Sequence, residues 1–351
     1  MLKALAYGTD DEILADFLAS CGIDILGVAT LSEGITLKEK CPHQHVFVIN
    51  ILPHQAVEAV THQLEIGVSS QVLISAIGDA SRRQNIITKV HLHLDTGMGR
   101  FGCRPEEALE LAKMIQQHPH LALEGIMSHF SCADDPSQDE FTQHQIDLFS
   151  STIFHLQSKG IYAKWHHIAN SAGTIRFSIP ICNMVRVGLL IYGIPNSKGM
   201  IPNFPFQPAL TLKTRIVGIN HCKENEPVGY KRSHRISTSS ARIAVLPMGY
   251  FDGLHRNYSN QLEVLIRGKK APLVGTICMD HVMADITGIP EAELGDSATL
   301  FGKDEFGNVL SPLTVAEAGN TIVHELLTCL GPRVQRVFIR GIPVVNFSRE
   351  F

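Results

Sequence analysis

The stretch KVHLHLDTGMGRFG, residues 89–102, joins an apolar strand-like run to a glycine-rich turn, and the amphipathic segment Pro105–Gln117 follows it. An apolar run, a turn and a segment of helical period make one β–α unit of a parallel sheet. Further apolar runs of this kind alternate with amphipathic segments such as Asp11–Ala19 and Asp139–Lys159 up to about residue 200. These runs are Leu2–Ala6, Ile25–Ala29, His45–Ile51, Leu64–Val68, Leu123–Ser128, Lys164–Ala169 and Met184–Tyr192.

Eight strands alternating with helices predict an α/β fold, a closed (β/α)8 barrel of the TIM type. An open doubly wound sheet is the alternative, but no GxGxxG turn follows the first strand. The segment Ile194–Pro208 is rich in Pro, Gly and Asn, which is typical of a linker. Beyond it, short β-branched runs from LTLKTRIVGI to VQRVFIRGIPVV predict a mostly antiparallel β domain. We therefore predict two domains, residues 1–203 and residues 204–351.

Composition excludes several classes of partner. The 351 residues carry a net charge of −4, and they contain no basic run that would indicate nucleic acid or an anionic membrane surface. No leader and no long apolar segment is visible, so we expect a cytoplasmic protein. The eight cysteines are scattered without a CxxC pair, which is typical of reduced thiols.

Polar side chains follow the predicted strands where a barrel carries its active site. Arg100 lies among three glycines after the fifth strand, His129 follows the sixth, and His167, Asn170 and Ser171 follow the seventh. Small residues after Ser171 present backbone N–H groups that suit a phosphate. Arg186 lies within the apolar eighth run, where a charge is strongly unfavourable unless it is paired. Arg186 is therefore more informative than Arg100.

A metal site is the competing interpretation of the histidines. His91, His93 and Asp95 alternate along one strand, and His166 and His167 follow later. No HExxH and no Cys/His quartet accompanies them, so we expect satisfied polar positions and no metal.

Eight collinear motifs resemble those of the alanine racemases, enzymes of fold type III that use pyridoxal 5′-phosphate (PLP). They are KALAYG, LDTGMGR, SHF, HIANSAG, NMVRVGLLIYG, VGY, MGYFDG and ICMD. Together they extend over nearly the whole chain. The resemblance implies a racemase that interconverts L- and D-alanine by a two-base mechanism and supplies D-alanine for peptidoglycan. It also implies a homodimer with shared active sites.

The resemblance assigns roles to individual residues. Lys3 forms the imine with PLP and serves as one base, and Tyr230 of the other subunit serves as the opposite base. The residues implied to hold the cofactor are Tyr7, His129, His167, Asn170, Ser171, Arg186, Gly188, Leu189 and His324. Those implied to contact the substrate or its entrance are Arg100, Met279 and Tyr250. Arg186 faces the pyridine nitrogen in this scheme, and an arginine there favours a racemase over the related decarboxylases because it does not give up a proton.

Three positions depart from the family pattern. Family members carry a helix and most of a strand before the lysine, whereas this sequence has two residues, so weak folding or weak PLP binding is the expectation. His93 replaces a lysine whose carbamate orients the arginine, and we expect a neutral His93 or a bound anion to orient Arg100 instead. His324 replaces a tyrosine at the phosphate, so we expect PLP affinity to fall as pH rises through the histidine range. A racemase of broader specificity, a fold-III decarboxylase and a PLP-binding remnant without turnover are the alternatives.

Overall fold

A computed structural model describes residues 1–195, 197 and 206–339. Six strands form one parallel sheet in chain order: β1 (Ile25–Val28), β2 (His45–Val48), β3 (Glu65–Val68), β4 (Thr88–His93), β5 (Leu121–Met127) and β6 (Trp165–His167). Each coincides with a predicted apolar run, and each runs parallel to its neighbour. The predicted barrel architecture is confirmed.

The other two barrel positions are not strands, so Leu2–Ala6 and Met184–Tyr192 were wrongly predicted. Backbone hydrogen bonds nevertheless continue the ring beyond β6, because the nitrogens of Asn183 and Arg186 donate to the oxygens of His166 and Ala169 at 3.1 and 2.9 Å. The nitrogen of Met1 donates to Val187 O at 2.8 Å, and that of Leu2 donates to Gly27 O on β1 at 2.7 Å. Single hydrogen bonds therefore close the barrel where ladders were expected.

The first helical element, α1 (Lys3–Gly8), is a left-handed turn. Four consecutive residues from Ala4 to Tyr7 have φ between 50 and 60°. Left-handed helical backbone costs about 1–2 kcal/mol for each such L-residue, so the surroundings have to hold it. Glu33 accepts the N–H of Ala4 at 2.7 Å, and the guanidinium of Arg336 donates to Gly8 O at 3.1 and 3.2 Å. This turn presents Lys3 and Tyr7 at the rim of the barrel.

Right-handed helices cover the outside of the barrel. They are α2 (Asp11–Ser20), α3 (Leu31–Lys40), α4 (Ala56–Thr61), α5 (Gln71–Gln84), α6 (Ala108–Gln117), α7 (Asp139–Ser158) and α8 (Ser171–Arg176). Thr30 and Glu33 form a capping box at the start of α3. The predicted helices at Asp11–Ala19, Pro105–Gln117 and Asp139–Lys159 are confirmed, with a 3-10 turn at Pro105–Glu107 opening the second.

The second half is an antiparallel β domain, as predicted. Its strands are β7 (Leu212–Arg215), β8 (Gly218–Lys223), β9 (Pro227–Val228), β10 (His234–Arg235), β11 (Ser240–Leu246), β12 (Glu263–Ile266), β13 (Lys269–Val274), β14 (Val282–Asp285), β15 (Ser297–Lys303) and β16 (Val309–Leu310). Two short helices, α9 (Pro312–Ala318) and α10 (Val323–Thr328), follow. The last predicted run, residues 334–345, forms no strand up to residue 339, and its remainder lies outside the described residues. The predicted boundary at residues 203 and 204 also lies outside them.

The core of the β domain extends to the barrel rim. Tyr7, Leu189 and Tyr192 pack with the buried side chains of the β domain, including Leu327 on α10. Because Tyr7 belongs to α1, the two halves of the chain meet close to Lys3. None of the helices in the described residues is long and apolar enough to cross a membrane.

Candidate active site

Lys3 lies at the edge of a cavity of about 200 Å³ between the barrel and the β domain. Tyr7, Glu33, His324 and Thr328 line the same cavity. The amine of Lys3 makes no hydrogen bond or ion pair with any residue that the structure describes. Burial lowers the pKa of Lys3, the charge of Arg100 lowers it further, and Glu33 opposes the shift. The site therefore contains a primary amine whose protonated form is disfavoured.

A group of donors lies beside the lysine. The hydroxyl of Ser171 accepts the N–H groups of Gly188 at 3.0 Å and Leu190 at 3.5 Å, which fixes the turn that carries Leu189. Neither the Tyr7 hydroxyl nor the Leu189 N–H has a hydrogen-bonding partner among residues 1–195, 197 and 206–339. A Cβ at Gly188 would lie 2.1 Å from the Tyr7 hydroxyl oxygen, so only glycine permits this approach. Unpaired donors this close together suit an anion.

The remaining predicted neighbours of this group differ in their contacts. Asn170 accepts the N–H of Gly173 and caps α8, so its carbonyl oxygen is already used within the loop. The rings of His324 and Tyr7 lie 5.8 Å apart, which places His324 beside the donor group. Burial and the charge of Lys3 lower the pKa of His324. Its imidazole is therefore neutral at pH 7.

Arg186 is buried at the centre of a polar network. Its guanidinium donates to Nδ1 of His167 at 2.7 Å and to Nδ1 of His129 at 3.0 Å, and it also donates to the backbone oxygens of Ser128, His167 and Ile168. Burial, with the charge of Arg186 next, lowers the pKa of His129 to about 2 and that of His167 well below its ordinary value. Burial also lowers the pKa of Arg186, to about 10. At neutral pH the network consists of one cation and two neutral imidazoles. The sequence predicts that Arg186 is paired, and its partners in the structure are neutral hydrogen-bond acceptors.

Arg100 is exposed on the glycine-rich turn after β4. Asp95 holds that turn by accepting the N–H groups of Gly97, Met98 and Gly99 at 2.9–3.1 Å. The guanidinium of Arg100 makes no hydrogen bond within the described chain, and it lies 5.9 Å from the centre of the Phe101 ring. That ring lies 6.5 Å from His93. Burial, the charge of Arg186 and the charge of Arg100 lower the pKa of His93 to about 3, which leaves it neutral.

Tyr230, Tyr250 and Met279 form a second group on the β domain. The Tyr230 loop is attached to Thr276, whose hydroxyl donates to Tyr230 O, and the N–H of Tyr250 donates to Cys278 O beside Met279. Tyr230 is 68% exposed and Met279 is 52% exposed. No hydrogen bond, ion pair or ring contact in the described residues joins this group to the groups around Lys3. The structure of one protomer thus brings together the barrel residues and leaves these three apart from them.

Several residues near the site were not identified from the sequence. Glu33 and Arg336 hold α1, Phe101 contacts Arg100, and Glu65 with His91 continues the network beyond His167. A carboxylate in the apolar run Leu64–Val68 was the available signal for Glu65, by the argument that singled out Arg186. For His91 the sequence predicts only a satisfied polar position, without its partners. No cluster of three His, Cys, Asp or Glu side chains suited to a metal occurs where the structure is described.

Comparisons with known proteins cover both halves of the chain. The sequence pattern described as "Alanine racemase, N-terminal domain" matches residues 1–196, and "Alanine racemase, C-terminal domain" matches residues 209–338. The alanine racemase of Geobacter sulfurreducens is 34% identical over 343 residues, which cover 97% of this chain and 89% of the relative. That of Halothermothrix orenii is 34% identical over 339 residues, which cover 96% and 89%.

Solved structures match over the same extent. The alanine racemase of Streptomyces lavendulae superposes with a TM-score of 0.91 at 29% identity, covering 97% of this chain and 90% of that one. That of Bacillus anthracis with bound L-Ala-P superposes with a TM-score of 0.87 at 32% identity, covering 98% and 88%. A barrel joined to an antiparallel β domain, with this rim, is thus the architecture of an isomerase. The chain belongs to the alanine racemase family.

Proposed function

We propose that this protein uses PLP to interconvert L-alanine and D-alanine, as a homodimer in which each active site takes residues from both protomers. The observation that carries this proposal is the combination of a free amine, unpaired donors and a buried guanidinium at one rim. A phosphorylated pyridine aldehyde needs these three kinds of group: an amine for its aldehyde, donors for its phosphate and a partner for its ring nitrogen.

The residues at the rim fit this cofactor. The Tyr7 hydroxyl and the Leu189 N–H would hold the phosphate, with the Ser171 hydroxyl accepting the Gly188 N–H to brace the turn and adding a further donor. The neutral imidazole of His324 would donate one hydrogen bond from beside Tyr7. Asn170 would shape this loop as the cap of α8.

Arg186 would donate a hydrogen bond to the pyridine nitrogen, with His129 and His167 holding its guanidinium in place. When bound, PLP supplies a sink for the electrons left on the α-carbon after a proton is removed. Even with its pKa lowered to about 10, Arg186 keeps its protons at pH 7, so it does not charge the ring nitrogen. A moderate sink suits racemisation, and this disfavours the decarboxylase alternative.

Lys3 and the partner's Tyr230 would serve as the two bases. The lowered pKa of Lys3 makes its amine easier to deprotonate, which suits a group that takes and returns a proton on one face of the α-carbon. The exposure of Tyr230 on this protomer suits a residue that acts in the other subunit's site. The unpaired guanidinium of Arg100 would bind the substrate carboxylate, with the backbone of the partner's Met279 beside it and the partner's Tyr250 at the entrance.

The product would supply peptidoglycan synthesis in the cytoplasm. D-alanine is the product that the alanine racemase relatives imply, and those named above are bacterial. No described helix suits a membrane span, which is compatible with this setting.

The proposal is tested by incubating the purified protein with PLP and L-alanine and measuring D-alanine with a coupled oxidase. We expect turnover by the protein and by Lys113→Met, which changes an exposed lysine on α6. We expect none by Lys3→Met. Racemisation by Lys3→Met at the rate of Lys113→Met would contradict the proposal, and PLP absorbance without any turnover would identify a non-catalytic remnant.

A further inference from the structure

A chain of four side chains crosses the barrel interior from Arg186 to Glu65 on β3. The Arg186 guanidinium meets Nδ1 of His167 at 2.7 Å, Nε2 of His167 meets Nδ1 of His91 at 2.9 Å, and Nε2 of His91 meets Oε2 of Glu65 at 3.2 Å. His91 and His167 are each 1% exposed, and Glu65 is 3% exposed. The chain therefore connects the guanidinium at the candidate cofactor site to a buried carboxylate.

The chemistry at its two ends fixes the proton positions along the whole chain. A guanidinium only donates, so Nδ1 of His167 has to be the bare nitrogen and Nε2 carries the proton. That N–H donates to His91, whose Nδ1 is bare in turn. The remaining N–H of His91 then donates to the carboxylate of Glu65, which only accepts when ionised. All three hydrogen bonds point toward Glu65, and one set of neutral tautomers satisfies them all.

The barrel is shaped to admit this chain. A Cβ at Gly125 on β5 would lie 2.2 Å from Nδ1 of His91, so a larger residue would occupy the space of the His91–His167 hydrogen bond. Pairing between β4 and β5 shifts by one residue between Val90 and His91, which leaves Glu124 as the extra residue of a bulge beside Gly125. The Phe47 ring packs against His91 at 4.7 Å between centres. Both imidazoles are held in position from several sides.

Glu65 joins this interior chain to the end of the barrel where β2, β3 and β4 begin. Its Oε2 faces His91, whereas its Oε1 accepts from Nδ1 of His45 at 2.9 Å and from the Lys89 amine at 3.3 Å. The hydrogen bonds from two elements hold the carboxylate in one orientation. Because the carboxylate is fixed and only accepts, each hydrogen bond between Arg186 and Glu65 has its donor on the Arg186 side.

We propose that Glu65 is a positioning residue for the reaction, because it fixes the tautomers of His91 and His167 and thereby the aim of Arg186 at the cofactor ring nitrogen. This inference rests on the proposed function and extends it to a residue on the far side of the barrel. In Glu65→Gln the amide can donate to His91 as well as accept from it. Once it donates, the chain can reverse, and a proton on Nδ1 of His167 then faces the Arg186 guanidinium and displaces it.

The test compares Glu65→Gln with Glu65→Asp and with the control Glu124→Gln in the PLP-loaded enzyme. Glu124 lies 3.8 Å from the Lys89 amine, which also pairs with Glu65, but within the described residues it makes no hydrogen bond or ion pair with His91 or His167. We expect Glu65→Gln to lower kcat about tenfold or more, as when the partner of a functional histidine is lost, with KM for alanine little changed. We expect it also to move the visible absorption band of bound PLP. Glu65→Asp should restore part of kcat, and Glu124→Gln should match the unmodified protein.

Histidine tautomers give a readout that does not depend on catalysis. In 15N-histidine spectra of the unmodified protein, His91 and His167 should carry their protons on Nε2, and Glu65→Gln should move protons to Nδ1. A proton on Nδ1 of His167 in the unmodified protein would overturn the inference even if no variant folded. An unchanged kcat, absorption band and tautomer pattern in Glu65→Gln would overturn it as well. Failure of the unmodified protein to racemise alanine would instead refute the proposed function, because the tautomers are measured independently.

Discussion

At the scale of single residues, the contact between Arg100 and Phe101 bears on what orients Arg100 when His93 replaces the lysine of the family pattern. The neutral His93 makes no hydrogen bond to Arg100 in the described structure, and the Phe101 ring lies near both residues. The aromatic ring is therefore a candidate for orienting the guanidinium, with His93 packed behind it. That His93 orients Arg100 for substrate binding stays a prediction.

This contact predicts the effect of Phe101→Leu. Loss of an exposed cation–π contact of about 0.5–1 kcal/mol should raise KM for alanine roughly two- to fivefold while leaving kcat unchanged. Steady-state kinetics of Phe101→Leu and of Phe154→Leu, which changes an exposed phenylalanine on α7, would measure it. Equal KM values in the two variants would count against an orienting role for Phe101.

His324 predicts a pH dependence of cofactor binding. Because burial and Lys3 lower its pKa, the free protein has a neutral His324 at pH 7, and a bound phosphate would favour protonation. Affinity for PLP should therefore rise, relative to His324→Gln, as pH falls below the ordinary histidine range, and the two proteins should respond alike above pH 7. Titrations of PLP binding to both proteins between pH 5.5 and 8 would show this, and a constant ratio of their dissociation constants would refute it.

At this scale the sequence predicted the residue types of the site better than their contacts. Arg186 was identified because a charge in an apolar run needs partners, and five hydrogen bonds provide them. The same argument applies to Glu65, whose partners come from β2 and β4. Which groups meet across the barrel depends on the strand register and on a single bulge, and neither is visible in the sequence.

At the scale of elements, α1 is held by a carboxylate outside it. Glu33 accepts the N–H groups of Ala4, Ala29 and Thr30 at 2.7–3.0 Å, so one side chain ties the left-handed turn to β1 and to the start of α3. An alanine there would leave these donors without their acceptor and would release the turn that carries Lys3.

Glu33→Ala should lower the free energy of unfolding by about 0.5–1.5 kcal/mol, because three exposed or partly buried N–H groups lose a charged acceptor. It should also reduce the fraction of protein that binds PLP, since Lys3 is no longer held. Urea unfolding and PLP absorbance would be compared with Glu39→Ala, which removes an exposed glutamate from the same helix. A Glu33→Ala variant as stable and as fully loaded as Glu39→Ala would contradict this account of α1.

Apolar periodicity predicted the six strands that form ladders, and it failed where tertiary contacts override it. Leu2–Ala6 has the composition of a strand, yet hydrogen bonds from Glu33, Arg336 and Tyr192 hold it as a left-handed turn. Met184–Tyr192 is drawn toward β6 by isolated hydrogen bonds and ends in a 3-10 turn at Leu189–Tyr192. In both segments the contacts that decide the backbone come from residues distant in the sequence.

At the scale of the whole molecule, three buried neutral histidines predict sensitivity to acid. The pKa values of His93 and His129 are about 3 and about 2, and that of His167 is also far below normal, whereas all three titrate near 6.5 when unfolded. Below pH 6.5 the unfolded chain therefore binds more protons, and stability falls as pH falls. Together these three histidines should lower the free energy of unfolding by roughly 4 kcal/mol between pH 7.5 and 5.5. The buried Met1 amine, whose pKa is lowered to about 5, adds to this fall.

Urea unfolding at the two pH values, at one protein concentration, would measure this drop. His129→Asn removes one of the three groups, so it should reduce the drop by roughly 1.4 kcal/mol. An unfolding free energy that is the same at pH 7.5 and pH 5.5 would show that these histidines are not held neutral.

The two groups of candidate site residues define the central claim at this scale. Lys3 lies at the barrel rim, whereas Tyr230 is exposed on the β domain without a described contact to that rim. A twofold dimer would allow the Tyr230 of each protomer to complete the site of the other. The claim is therefore that one catalytic site is assembled from two chains.

The most direct test mixes the inactive variants Lys3→Met and Tyr230→Phe after dissociation and allows them to reassociate. Each mixed dimer would contain one site with both native bases and one site with neither, so random pairing should restore about one quarter of the unmodified activity. Alanine racemisation that stays at the mean of the two parent variants, although mixed dimers have formed, would contradict the shared site.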